Sequence, residues 1–181
     1  MTKRVRAYIG LGGNVGEVEQ NLRNAVRALA ALPGARLRAV SPLYRTRPVG
    51  VADQPDFLNA VVALDVPAGP DPETGALALL AALKQLEQAI GRQPGWRWGP
   101  REIDLDLLVF GRHTISVARP DGRWLEVPHP EMRERLFVLQ PLADLAPGLR
   151  PPGWRETAAT ARDRRRHLEG AAAVVAVGRL D

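Results

Sequence analysis

The chain contains no cysteine, which removes disulfides, thiolate nucleophiles and cysteine-ligated zinc from consideration. Histidine is almost as scarce. His113, His129 and His167 stand far apart, an arrangement that argues against a histidine metal cluster. No stretch comes near the ~20 apolar residues of a membrane span, and Met1-Thr2-Lys3-Arg4-Val5-Arg6 leads into a strand-like pattern without the apolar core of a signal peptide. A cytoplasmic protein with no membrane partner is expected. Aromatic residues make up 5% of the chain, too few to favour base stacking across a sheet.

Two phosphate-binding fingerprints are also missing. Glycines gather at positions 10, 12, 13 and 16, but Val15 stands where a dinucleotide motif needs glycine, and no Lys-Ser/Thr pair follows to make a P-loop. The segment reads as a tight strand-to-helix turn, where Asn14 can offer a hydrogen bond to a ligand.

What remains is an ordinary globular composition over 181 residues, 45% hydrophobic and 25% charged, which suits one domain. The net charge is +5 and nearly all the positive charge is arginine, a balance that favours an anionic partner, either nucleic acid or a phosphorylated small molecule.

Periodicity sets out the elements. Val5 to Leu11 alternates as a first strand. Val18, Leu22, Ala25, Val26, Leu29 and Leu32 recur at helical spacing until Pro33-Gly34. Residues 36–47 read as a second strand and 57–66 as a third, with Asn59 its odd polar member. Leu77, Leu80, Leu83, Leu86, Glu87 and Ile90 mark a second helix that stops at Gly91, and a fourth strand follows a polar loop. The order βαββαβ predicts an α+β, ferredoxin-like fold. Its two helices should lie on one face of a four-stranded antiparallel sheet, leaving the other face or its rim for ligands. Residues 112–121 read as an exposed excursion, 124–127 as a short strand, and 128–132 as a turn into a short helix. Leu136 to Leu139, Leu142 and Leu145 complete the core. The core spans about 5–147, and a C-terminal extension of about 150–181 holds a charged helix over 155–166 and an apolar run, 171–177, with no assigned role.

The fourth strand carries the chemistry. In Ile103-Asp104-Leu105-Asp106-Leu107, the two aspartates fall on one face roughly 6 to 7 Å apart. Like charges beside Leu and Phe are expensive without a cation. Mg²⁺ is the usual answer, held by one or two carboxylates and substrate phosphates. Arg97, Trp98 and Arg101 just upstream add phosphate-pairing forks and a flat stacking surface. Surface ion pairs with those arginines are the competing reading. His129, between two prolines, is the histidine best placed to act, with Arg135 and Phe137 close behind.

Five segments then resemble, in order, the 6-hydroxymethyl-7,8-dihydropterin pyrophosphokinase family of folate biosynthesis: Tyr44-Arg45-Thr46-x-Pro48-x-Gly50, Gln54-Pro55-Asp56-Phe57-Leu58-Asn59, Gly91-Arg92, Arg97-Trp98-Gly99-Pro100-Arg101-x-Ile103-Asp104-Leu105-Asp106, and Val127-Pro128-His129-Pro130-x-Met132-x-x-Arg135. The likeness covers about 8–147. It implies transfer of the β,γ-diphosphoryl group of ATP to the pterin hydroxymethyl group, with release of AMP. It implies that Asp104 and Asp106 hold two Mg²⁺ and act catalytically with Arg92 and Arg101. Glu87, Arg92, Arg101, Leu107, His129 and Arg135 would meet ATP, while Thr46, Val49, Phe57, Asn59, Trp98 and Phe137 would form the pterin pocket. This sequence departs from the family at Phe57, where tyrosine is frequent, at Pro130, and in a shortened 92–98 loop. The resemblance also implies small-molecule partners rather than nucleic acid, and action as a monomer is expected. A basic ferredoxin-like RNA-binding module and a nucleotide-sensing regulatory domain are the alternatives.

Overall fold

The computed structural model describes residues 2–181. Strand β1 (Arg4–Gly13) lies at the centre, paired antiparallel with β4 (Phe57–Pro67) on one side and β5 (Asp104–Phe110) on the other. β2 (Arg36–Val40) and β3 (Pro42–Thr46) both pair with β4, and the last strand, β8 (Val174–Arg179), adds to β3. The sheet therefore runs β5-β1-β4-β3-β8, with β2 also paired to β4. The expected βαββαβ core and α+β class are present.

Helices α1 (Val18–Ala30) and α2 (Pro72–Ile90) share one face. Leu22, Ala25, Val26 and Leu29 of α1 and Ala76, Leu80 and Leu83 of α2 meet Ile9, Leu11, Val62, Leu64, Leu105 and Leu107 in the larger apolar core. α2 starts earlier than its apolar spacing predicts. Asp71 accepts a hydrogen bond from Thr74 N at 2.8 Å and Pro72 fixes the first turn, a cap that contributes about 1 kcal/mol.

Four other expectations are corrected. The predicted strand over 36–47 is two strands, because Pro42 has no N–H to continue a ladder. Ser41 bridges the break, its hydroxyl accepting from Val61 N at 2.9 Å and donating to Pro42 O at 2.8 Å. β1 continues through Gly10, Gly12 and Gly13, so the turn is confined to residues 14–17. The excursion contains β6 (Ile115–Ala118), which pairs with β7 (Trp124–Val127) as a hairpin. Residues 171–177, left without a role, supply most of β8 and so form the sheet edge.

The second sheet face is not left open along its length. Helices α3 (Leu136–Leu145) and α4 (Ala158–Glu169) cover part of it, with Met132, Leu142, Ala143 and Ala158 packed on Tyr8, Val61, Ala63, Leu108 and Val109. Tyr44 of β3 donates to the Asp144 carboxylate of α3, and burial with that bond pushes its pKa up to about 12. The uncovered part of this face is a cleft.

Candidate active site

The cleft has a volume of about 650 Å³, within the ~300 to 1,000 Å³ of small-molecule sites. Its floor follows from strand alternation. Gly10 and Gly12 of β1, Asn59 of β4 and Asp104 and Asp106 of β5 share a face, and register sets Asp104, Gly12 and Asn59 on one rung. Strand spacing then puts Asp104 about 10 Å from Asn59 across a residue with no side chain. A Cβ on Gly12 would come 2.7 Å from Asn59 Oδ1.

The two aspartates are treated differently. Asp104 Oδ1 accepts from Arg92 Nη1 at 2.9 Å and its Oδ2 from Arg101 Nη1 at 2.8 Å. Asp106 has no such partner among the described residues. Burial first, and the neighbouring Asp104 charge second, push its pKa up. An uncompensated carboxylate aimed at a cleft suits a cation that arrives with a ligand. No group of three or more His, Asp or Glu side chains is arranged to hold a metal among the described residues. Mg²⁺ shared between two carboxylates and substrate phosphates does not require one.

Behind the aspartates lies Glu87, a buried polar residue at the end of α2. Its Oε1 accepts from Leu105 N at 2.7 Å and Lys84 Nζ at 2.9 Å, and its Oε2 from Arg92 Nη1 at 2.7 Å. The carboxylate faces the cleft, but its hydrogen bonds go to the protein. Leu107 is a correction. Its side chain points into the α1–α2 core and does not line the cleft; Leu108 does. Plain alternation sets these two faces; the β-bulge acts one step on, where Tyr8 pairs with Val109 and Ile9 with Leu107, so that Val109 joins Leu108 on the second face and Phe110 returns to the α1–α2 core.

His129, two residues beyond β7, accepts from Glu131 N on Nδ1 at 3.2 Å, so Nε2 carries the proton. Burial, then the Arg135 cation, hold its pKa below the usual imidazole value. Arg135 pairs with Glu131 and lies 5.6 Å over the Phe137 ring.

At the opposite end, Asn59 Nδ2 donates to Thr46 Oγ1 at 2.8 Å beneath Phe57, Val49 and Phe137. Trp98 sits at φ +65°, a backbone region costly for a bulky side chain, and is 47% exposed. The Arg97 guanidinium lies 4.7 Å over its ring and Gly50 packs against it.

Asn14, expected to offer a hydrogen bond to a ligand, instead joins the two loops beside the cleft. Its Nδ2 donates to Gln54 Oε1 and Pro55 O, both at 2.9 Å, and its Oδ1 accepts from Arg101 N at 2.9 Å. Gln54 Nε2 donates onward to Trp98 O at 3.0 Å.

Every residue given a catalytic, ATP or pterin role in the sequence except Leu107 lines this one cleft, and Asn14 stands beside it. The sequence reading missed Gly10, Gly12, Lys84, Gln88, Glu131 and the hairpin residues Arg119, Asp121 and Arg123. Lys84 and Gln88 had a usable signal, because they share a helical face with Glu87 where the apolar stripe of α2 turns polar. Eight basic side chains against five acidic ones line the cleft, a balance suited to a polyanionic ligand.

A family model described as 7,8-dihydro-6-hydroxymethylpterin-pyrophosphokinase matches residues 8–147. The chain belongs to that family. The 2-amino-4-hydroxy-6-hydroxymethyldihydropteridine pyrophosphokinase of Pseudomonas aeruginosa is 47% identical over 150 residues, covering 83% of this chain and 86% of its own length. The Bacillus subtilis enzyme of the same name is 43% identical over 139 residues, 77% of each chain. Among solved structures, wild-type Plasmodium falciparum HPPK-DHPS superposes with a TM-score of 0.73 at 14% identity, over 93% of this chain and 46% of that one. At that identity the likeness bears on the fold alone, and this chain spans less than half the Plasmodium chain.

Proposed function

We propose that this pyrophosphokinase transfers diphosphate from ATP to 6-hydroxymethyl-7,8-dihydropterin, releasing AMP, and that it supplies folate biosynthesis. The observation that carries the reading is the single sheet rung on which Asp104, Gly12 and Asn59 succeed one another. That order sets a carboxylate site for the phosphates beside a flat backbone floor for the ring.

Asn59, held by Thr46, gives an amide edge to the polar rim of the pterin, and Phe57 and Phe137 supply aromatic surface. Val49 and Trp98 lie on the loops at its mouth. Arg92, Arg101 and Arg135 pair with the phosphates, trading their present carboxylate partners for charge on the ligand. The neutral His129 offers Nε2–H as a further phosphate donor. Glu87 acts as a positioning residue on the nucleotide side, keeping Arg92 and the start of β5 in place. Asp104 and Asp106 are the residues that would hold two Mg²⁺. The ions supply charge neutralisation of the triphosphate and polarisation of the attacking hydroxyl when bound. The protein contributes alignment and exclusion of water, and Asn14 links the loops that close over the substrates.

No helix among the described residues is long and apolar enough to cross a membrane. We place the enzyme in the cytoplasm, acting as a monomer on these small molecules, with the whole chain forming one domain.

The test is AMP release from ATP and 6-hydroxymethyl-7,8-dihydropterin in the wild type and in Asp104→Ala and Asp106→Ala. Turnover in the wild type with loss in both variants supports the reading. A folded wild type that binds ATP without forming AMP would instead mark a nucleotide-sensing domain, and full activity in either variant would sink the metal assignment.

A further inference from the structure

The β6–β7 hairpin brings to the cleft three charged residues that have no place in the reading above, Arg119, Asp121 and Arg123. The tip is well braced. Arg119 N donates to Arg123 O at 2.7 Å, Gly122 N to Arg119 O at 3.0 Å, and Arg123 N to Asp121 Oδ1 at 3.0 Å. Gly122 takes the φ of +81° that the turn needs. Ile115, Leu125 and Val127 anchor the hairpin in the main core, so the tip is a fixed wall of the cleft.

Across this tip Arg119 Nη2 lies 2.8 Å from Asp121 Oδ2, with the arginine side chain 17% exposed and the aspartate 45%. The asymmetry matters. A guanidinium so enclosed needs a partner, whereas a carboxylate that retains nearly half its exposure loses little hydration when it lets go. Arg119 also has more N–H groups than one carboxylate contact uses, and phosphate is their natural second acceptor. A carboxylate in a wall facing a polyanion otherwise opposes binding.

We propose that Arg119 and Asp121 form an exchange pair that sets affinity for the nucleotide: ATP phosphate oxygens compete with Asp121 for Arg119. With the cleft empty, Asp121 neutralises and orients the guanidinium. When the triphosphate enters, Arg119 turns its donors to it and Asp121 returns to solvent. The pair rests on the ATP reading given above.

The experiment is titration calorimetry of a non-hydrolysable ATP analogue with Mg²⁺ into the full chain, for the wild type, Asp121→Asn, Arg119→Ala and the double variant. Asn keeps an oxygen to accept from Arg123 N, so the turn survives. Asp121→Asn should bind about fivefold tighter and Arg119→Ala about tenfold weaker, with pterin affinity unchanged in both. The gain from Asp121→Asn should vanish in the Arg119→Ala background, because the aspartate acts through that arginine. Unchanged or weaker binding by Asp121→Asn overturns the pair, as does a gain that persists without Arg119. A wild type that binds no nucleotide overturns the ATP reading and this pair with it; normal wild-type binding with an inert Asp121→Asn overturns the pair alone.

Discussion

Glu87 holds Arg92 from inside the protein, its Oε2 accepting Arg92 Nη1 at 2.7 Å while Oε1 serves Leu105 N and Lys84 Nζ. Removing the carboxylate strands a backbone N–H and takes one partner each from Lys84 and Arg92, which keep Leu105 O and Asp104. Glu87→Ala should lose about 2 to 4 kcal/mol of stability by denaturant titration. Glu87→Gln, which still offers an acceptor to Leu105 N, should lose less. In both, Arg92 is less well fixed, so the KM for ATP should rise more than the KM for the pterin.

Asp106 should behave in the opposite way towards stability. The folded protein holds this carboxylate against burial and against Asp104, without a bonded cation. Asp106→Asn should therefore melt a few degrees higher at pH 8, a gain of about 1 kcal/mol, while kcat falls about 10³-fold. A destabilised and still active variant would mark Asp106 as structural.

The same residue gives a pH prediction. A raised carboxyl pKa means the folded, metal-free protein keeps a proton that the unfolded chain has lost. Its stability therefore declines as pH climbs from the ordinary carboxylate range to about 7 and levels off above that. Mg²⁺ must displace the same proton, so half-saturating Mg²⁺ in the AMP-release assay should rise as pH drops below about 7. Asp106→Asn should abolish that dependence.

Gly12→Ala tests the pterin end. The added methyl would stand 2.7 Å from Asn59 Oδ1, forcing the amide away from Thr46. The KM for the pterin should rise about tenfold while nucleotide binding stays near wild type. Equal loss for both substrates would show that the methyl distorts the sheet instead.

Much of this was legible because strands alternate. Asp104 and Asp106 could be placed on one face from spacing alone, and Asn59 stood out as a polar residue in an apolar strand. Leu107 was misplaced because its assignment to ATP came from the family likeness, whereas alternation already sets it with Leu105 on the helix side. The bulge at Leu108 was invisible, since an unpaired residue leaves no mark in an apolar run. Gly10 and Gly12 were taken for a turn, because glycine reads as a breaker unless a neighbouring strand needs the room. Ala171 to Val177 carried no signal that it would seek β3, a pairing set by tertiary contacts. Asp121 and Arg119 looked like ordinary loop charges, and only the seating of the hairpin brings them into the cleft.

The bare floor at Gly10 and Gly12 has a consequence for inhibition. A planar inhibitor lying on it would rest on peptide groups, which mutation cannot trim away. Substitution there can only add atoms, and an atom that displaces the drug also intrudes on the space of the substrate ring. Escape by altering the floor would therefore cost the organism its own reaction, leaving the side chains of the walls as the easier route to resistance.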